Sequence, residues 1–206
     1  MSSNMPLSRE HKQLRINNLC PMDLNFLLFI ENIYECYHEG RDVFPGRYLI
    51  SNDQELLEPE SFKEAFHSCW SEIEQEYEQQ QYMDNPFKTL HFREGYTSLF
   101  SKNSVFHTVE RVWSTFSLWW WPDYGIKTYM ERYSDLFMPE IAEQIWKELY
   151  EKNIRTDDSS SLYVMLLFKQ PAVIIPKSSN KLFFLSIDSF AYKKEDIARQ
   201  IVELFV

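Results

Sequence analysis

The sequence predicts a predominantly helical α+β protein, with about five to six helices, a small antiparallel sheet and a closing C-terminal helix. Three observations lead to this fold class. Apolar residues recur at helical spacing through most of residues 23–149. Short continuous apolar runs separated by turn residues come next, and helical spacing returns in the last segment. Helices first and a small sheet later is the order typical of α+β domains.

The helices are placed by their apolar spacing and by their end signals. Asp23 is the predicted N-cap of the first helix, and Gly40 is its predicted stop. Pro59 suits the first position of the second helix, and Pro139 that of a later one. The predicted helices cover residues 23–37, 59–82, 103–118 and 123–134, then a segment opening at Pro139 and a last one from about Lys193.

The predicted sheet lies near the C-terminus. Its three apolar runs cover residues 162–168, 172–175 and 182–187. Because short gaps between strands permit only antiparallel neighbours, these runs predict a three-stranded meander. The runs are continuous rather than alternating, so we expect both faces of the sheet to be covered.

The chain has 206 residues, of which 17% are aromatic. This length fits one domain, and large rings bring much buried area to its core. We predict a loose N-terminal arm over residues 1–19 and a single α+β domain over residues 20–206. Its helical part is residues 20–152, and its sheet and last helix are residues 161–206.

The cysteine content and the polar N-terminal residues indicate which compartment and which cofactors to expect. Three cysteines, Cys20, Cys36 and Cys69, are an odd number without metal-ligand spacing, so we expect reduced, buried thiols. The polar start lacks a secretion signal, and no apolar stretch is long enough to span a bilayer. We therefore expect a cytoplasmic protein without contact to a membrane, and neither a cofactor nor a metal site.

Acidity is concentrated on the second predicted helix. Residues 55–84 hold nine of the 31 acidic residues and one base, Lys63, which gives this segment −8 of the net charge of −10. Like charges four residues apart each cost about 0.2–0.5 kcal/mol on an exposed helix. One interpretation is a solvated surface, and the other is a docking face for a basic partner. The candidate partner-binding residues are Glu72, Glu74, Glu76 and Glu78.

The run Trp119-Trp120-Trp121 is the second unusual feature. Three consecutive side chains on a helix fan over about 200°, so one apolar stripe cannot hold them all. Trp120 continues the stripe of the third helix, and Trp119 or Trp121 must meet another surface. That surface is either an aromatic junction of the core or a ligand pocket. The candidate pocket residues are Arg111, Trp119, Trp121, Asp123 and Tyr124.

These patterns favour a binding function over catalysis. The sequence contains no phosphate loop, nucleophile elbow or zinc-protease motif, and its acidity argues against nucleic acid as a ligand. The leading hypothesis is a non-enzymatic interaction protein, of the inhibitor or immunity type, that docks a basic protein through the acidic helix. The alternatives are a small-molecule-binding protein or enzyme with a pocket near Trp119–Trp121, and a homodimer without a ligand.

Overall fold

A computed structural model describes residues 14–41, 43–51, 55–79, 95–101, 105–156, 161–190 and 194–206. The helices are α1 (Met22–Glu39), α2 (Pro59–Glu78), α3 (Val105–Trp120), α4 (Ile126–Glu151), α5 (Ile187–Phe190) and α6 (Lys194–Glu203), with a 3-10 turn at Arg47–Leu49. The strands are β1 (Arg15–Leu19), β2 (Ser161–Leu167) and β3 (Leu182–Ser186). The helical majority of the predicted α+β fold is confirmed.

The first half of helix α1 is apolar over most of its circumference, and every residue from Leu24 to Glu31 is buried. A helix of this kind belongs in a core rather than at a surface. Its end follows the prediction: Gly40 adopts the left-handed conformation, with φ of 67°, which glycine accepts without a Cβ penalty. Its start does not, because Pro21 occupies the N-cap position and Asp23 lies in the first turn.

Helix α4 joins two segments that were predicted to be separate helices. Pro139 lies inside it rather than at its start. A proline removes one helical hydrogen bond and bends the axis. Here the buried positions continue at helical spacing on both sides of the proline, so packing keeps one helix across it. These buried positions are Met130, Ser134, Met138, Ile141, Ala142, Ile145 and Leu149.

The sheet contradicts the antiparallel prediction. Its order is β1–β2–β3, and β1 pairs with β2 in parallel, Arg15 opposite Ser161 and Leu19 opposite Met165. The Tyr163 N–H donates to the Lys181 carbonyl at 2.7 Å, which brings the start of β3 beside the start of β2. The three strands therefore form a parallel sheet, and the predicted meander is wrong.

The error has two physical causes. Residues 172–175 form no strand, because the N–H groups of Ala172 and Val173 donate to a side chain, and because Pro171 and Pro176 beside them have no N–H. Without that strand, residues 168–181 connect β2 to β3, and this exceeds the roughly dozen residues that a parallel crossover needs. The third strand comes instead from residues 15–19, which were assigned to the loose arm.

The chain divides into two compact units. One comprises the residues up to Leu19, Met130–Leu166 and Lys177–Val206, and the other comprises Cys20–Tyr129 and Leu167–Pro176. Each unit combines segments that are distant in sequence, so the division does not follow the predicted border between a helical part and a sheet part. The prediction of a single domain over residues 20–206 stays a prediction.

The second unit contains the aromatic core. Phe26 lies at its centre, with ring centroids of Tyr96, Trp113 and Phe116 at 4.8, 4.9 and 5.1 Å. The first two contacts are edge-to-face, the arrangement that the ring quadrupoles favour. Tyr34 stacks on Phe62 at 3.9 Å and fastens α1 to α2. Cys20, Cys36 and Cys69 are all free and buried, as the sequence predicts.

Candidate functional site

The orientation of α2 is fixed by its buried stripe, which consists of Phe62, Phe66, Cys69, Trp70 and Ile73. At 3.6 residues per turn, Glu72 and Glu76 lie along one flank of this stripe, and Glu74 and Glu78 lie along the other, about 160° away. Glu72 and Glu78 are exposed, whereas Glu74 and Glu76 are half-buried. The four predicted partner-binding carboxylates therefore do not form one row.

At the centre of the exposed side of α2, Glu78 is joined by two further carboxylates. By the same geometry, Glu60, Glu64 and Glu78 lie within about 40° of each other around the helix. All three are exposed. Glu60 accepts a hydrogen bond from Lys63 at 2.8 Å, and Lys63 is the only lysine or arginine of the helix. Among the described residues, neither Glu64 nor Glu78 forms an ion pair.

We define the acidic surface as the side chains of Glu64, Glu72 and Glu78. They share three properties: each is exposed, each lies on α2, and none is paired with a base among the described residues. No basic residue lies in the last turn of α2, where the carbonyl groups carry the negative end of the helix dipole. The negative potential of the C-terminal half of α2 is therefore not compensated within the helix itself.

The tryptophan run separates into three environments. Trp120 is fully buried and stacks on Phe116 at 5.3 Å, as expected for the stripe of α3. Trp119 is half-buried and meets a second surface, formed by Phe29 at 5.4 Å and Phe168 at 5.0 Å. Trp121 remains 45% exposed. Helix geometry predicted such a separation, and the structure assigns Trp119 to packing between elements.

The turn after α3 keeps Trp121 at the surface. A Cβ atom on Gly125 would lie 2.7–2.9 Å from the carbonyl oxygens of Trp120, Trp119 and Pro122, so the chain folds back closely on the end of α3. Lys127 Nζ lies 5.0 Å from the centroid of the Trp121 ring, within the range of a cation–π contact.

The five candidate pocket residues are not brought together by the described contacts. Arg111 donates to the Leu49 carbonyl at 2.9 Å and to Glu55 Oε2 at 2.7 Å, so its guanidinium group fastens α3 to the segment before α2. Trp119 packs against aromatic rings, as described above. Trp121, Asp123 and Tyr124 are exposed. The pocket near the tryptophan run stays a prediction without a contact that supports it.

A buried carboxylate on α1 escaped the sequence analysis. Glu31 is 0% exposed, and its Oε1 accepts hydrogen bonds from the N–H groups of Ala172 and Val173, both at 2.9 Å. Lys169 Nζ lies 2.8 Å from Glu31 Oε2, although without the direction of a hydrogen bond, and it donates to Glu35 Oε2 at 2.9 Å.

The environment of Glu31 changes its acidity. Burial raises the pKa of Glu31 above its ordinary value of 4.5, and the negative charge of Glu35 adds to the rise. Lys169 and the N–H of Val173 act in the opposite direction. A signal for this site was present in the sequence, because Glu31 directly follows the apolar run Phe26–Ile30.

Within the seven described ranges, no three His, Cys, Asp or Glu side chains are grouped as ligands of a metal ion would be. Of the described helices, none combines the length and the apolar character needed to cross a membrane. No protein-family model, no curated protein and no solved structure matches the chain.

Proposed function

We propose that this chain is a binding protein that docks a basic protein segment through the acidic surface of α2. One observation carries the proposal: Glu64, Glu72 and Glu78 are exposed and paired with no described base, whereas the buried carboxylates of Glu31 and Glu55 each have specific donors. Within the part of the chain that the structure describes, no ion pair accounts for the charge of the acidic surface.

This charge has an energetic cost for the isolated chain. Glu72 and Glu76 are four residues apart, and a pair of like charges at this spacing costs about 0.2–0.5 kcal/mol on an exposed helix. A basic partner relieves the repulsion when it binds, and the same field steers its approach. Binding of a basic segment thus turns an unfavourable feature of the free protein into a favourable feature of the complex.

The spacing of the carboxylates limits the shape of the partner. With a rise of 1.5 Å per residue, Glu64 and Glu78 are about 21 Å apart along α2, and Glu72 lies between them. An extended segment covers this distance with about six or seven residues. We therefore expect a partner segment of about that length with cationic side chains near both of its ends.

The test compares two variants of equal net charge. Glu72→Lys/Glu78→Lys reverses two charges of the acidic surface, and Glu143→Lys/Glu203→Lys reverses two exposed charges on α4 and α6. Each changes the net charge from −10 to −6, because each of the two reversals adds two units. Binding of a fluorescent lysine-rich peptide of about ten residues is measured by anisotropy at two salt concentrations.

The proposal expects the α2 variant to lose about tenfold or more in affinity, and the matched control to lose at most about threefold. It also expects the affinity of the wild type to fall as salt rises, since exposed charges are screened. Equal losses in the two variants show that the peptide responds to net charge alone, and they overturn the proposal.

A further inference from the structure

The segment that follows β2 lies along α1 and is held there mainly by polar contacts. We call residues 168–176 the strap. The Phe168 N–H donates to Asn25 Oδ1 at 2.9 Å, and Asn25 is itself buried. Lys169 bridges Glu31 and Glu35, and the N–H groups of Ala172 and Val173 meet Glu31. Three side chains of α1 thus hold the first half of the strap.

The second half of the strap lacks such contacts. Ile175 is 89% exposed, and no hydrogen bond of residues 174–176 is found among the described residues. The strap has neither the ladder of a strand nor the internal bonds of a helix. Its polar attachment therefore depends on a few side chains of α1, among which Glu31 makes the largest number of polar contacts.

Among the described residues, three charged side chains lie near Glu31. Lys169 of the strap faces it from one side, and Glu35 lies one helical turn further along α1. Arg41 lies beyond, 3.9 Å from Glu35 Oε2. Two carboxylates therefore share one lysine, and of the two only Glu31 is fully removed from water, since the side chains of Glu35 and Lys169 remain 22% and 18% exposed. Burial of this kind disfavours a full negative charge on Glu31.

We propose that the strap is a latch that opens and closes on α1, and that its closing is linked to the uptake of a proton by Glu31. In the closed state the Glu31 carboxyl group is buried against the strap. In the open state the same group is in water. The state that disfavours the charged carboxylate is the closed one, so protonation shifts the equilibrium toward closure.

The sign of the pH dependence follows from this linkage. The pKa of Glu31 is raised in the closed state and returns toward its ordinary value of 4.5 in the open state. Closure is therefore strengthened as pH falls from above the raised pKa toward 4.5, by up to about tenfold per pH unit for one proton. It weakens as pH rises through the raised pKa.

Opening of the latch changes the surface of the second unit. The Phe168 ring covers Trp119 edge-to-face, with centroids 5.0 Å apart. When residues 168–173 leave α1, the half-buried Trp119 ring loses this cover. The latch thus connects a proton-binding group on α1 to the exposure of an aromatic side chain at the end of α3.

Hydrogen exchange of single amides tests the latch between pH 5 and 8. The probes are the N–H groups of Ala172 and Val173, and the reference is the N–H of Phe62 in α2, which donates to the carbonyl of the N-cap residue Glu58. Exchange rates are divided by the intrinsic rates at each pH. We expect protection of the two strap amides to rise as pH falls, by less than the roughly tenfold per pH unit that one fully linked proton allows, with no such change at Phe62.

Three variants identify the titrating group. Glu31→Gln removes the dependence on pH. Lys169→Met moves the dependence to higher pH, because the lysine lowers the pKa of Glu31, and Glu35→Gln moves it to lower pH, because that carboxylate raises it. If Glu31→Gln does not fold, the two opposite shifts carry the test. Strap protection that is constant or falls with falling pH in the wild type overturns the latch, and so does a dependence that persists in Glu31→Gln.

Discussion

Carboxylates of α1 and α2 belong to the same unit but lie in opposite environments, one buried and the others exposed. Glu31 of α1 is buried, accepts two backbone hydrogen bonds and lies against Lys169. Glu72 and Glu78 of α2 are exposed and lie in no described ion pair. A buried charge must have partners, because its desolvation costs several kcal/mol, whereas an exposed charge is solvated without them. Burial thus separates the carboxylates that hold the fold from those free to contact another molecule.

The largest expected effect is at Glu31. Glu31→Ala leaves the N–H groups of Ala172 and Val173 without their acceptor and removes one of the two carboxylates beside Lys169, and removing one partner of a buried pair costs about 3–5 kcal/mol. Equilibrium unfolding in urea measures the loss. A loss below about 1 kcal/mol would place Glu31 with the exposed carboxylates and remove the contrast between the two helices.

Glu55 is expected to give a smaller loss. Its Oε2 accepts from Arg111 at 2.7 Å and from the Ser51 N–H at 3.2 Å. Glu55→Ala leaves both donors unsatisfied, but the Arg111 side chain is 37% exposed and can turn to water. We expect a loss of about 1–3 kcal/mol in urea unfolding. The control is Glu60→Ala, whose exposed pair with Lys63 is worth less than about 1 kcal/mol.

Tyr77 allows a test of one hydrogen bond between α2 and α1. Its hydroxyl donates to Asp23 Oδ1 at 2.9 Å and so connects α2 to the first turn of α1. Tyr77→Phe keeps the ring and removes this bond, at a cost of about 1 kcal/mol in thermal or urea unfolding. Tyr124→Phe, at a side chain that is 95% exposed, is the matched control and should leave the stability unchanged.

The smallest expected effect is on the acidic surface. Glu72→Gln removes a repulsion with Glu76 and should raise the stability by about 0.2–0.5 kcal/mol at low salt. The gain should shrink as salt is added, because exposed charges are then screened. A clear loss of stability on this substitution would show that Glu72 serves the fold, and it would remove the basis of the proposed docking surface.

The fold was predictable where local signals act alone. The spacing of apolar residues located α1, α2 and α3, and Gly40 marked the end of α1. The prediction was wrong where a contact with a distant part of the chain determines the local structure. Pro139 signals the start of a helix locally, but packing carries α4 through it. Residues 172–175 have the composition of a strand, but the N–H groups of Ala172 and Val173 donate to Glu31, which lies in another part of the chain.

For the candidate sites too, some features could be predicted from the sequence and others required the structure. The concentration of acids on α2 is a property of the sequence, and so is the fact that three adjacent tryptophans cannot share one stripe. Which of the four predicted glutamates face solvent depends on the rotation of α2, and that rotation is fixed by Trp70 and Ile73 in the core. The assignment of Arg111 to Glu55 rather than to a pocket required the structure, because these residues are 56 positions apart.

By itself, the sequence determined the helical majority, the acidic second helix and the distribution of the tryptophans over more than one surface. These depend on residue type and on spacing within one element. Only the tertiary structure decided the parallel order of the strands, the attachment of the strap and the burial of Glu31. Each of these depends on which distant group supplies or accepts a hydrogen bond, and no local pattern specifies a partner more than 100 residues away.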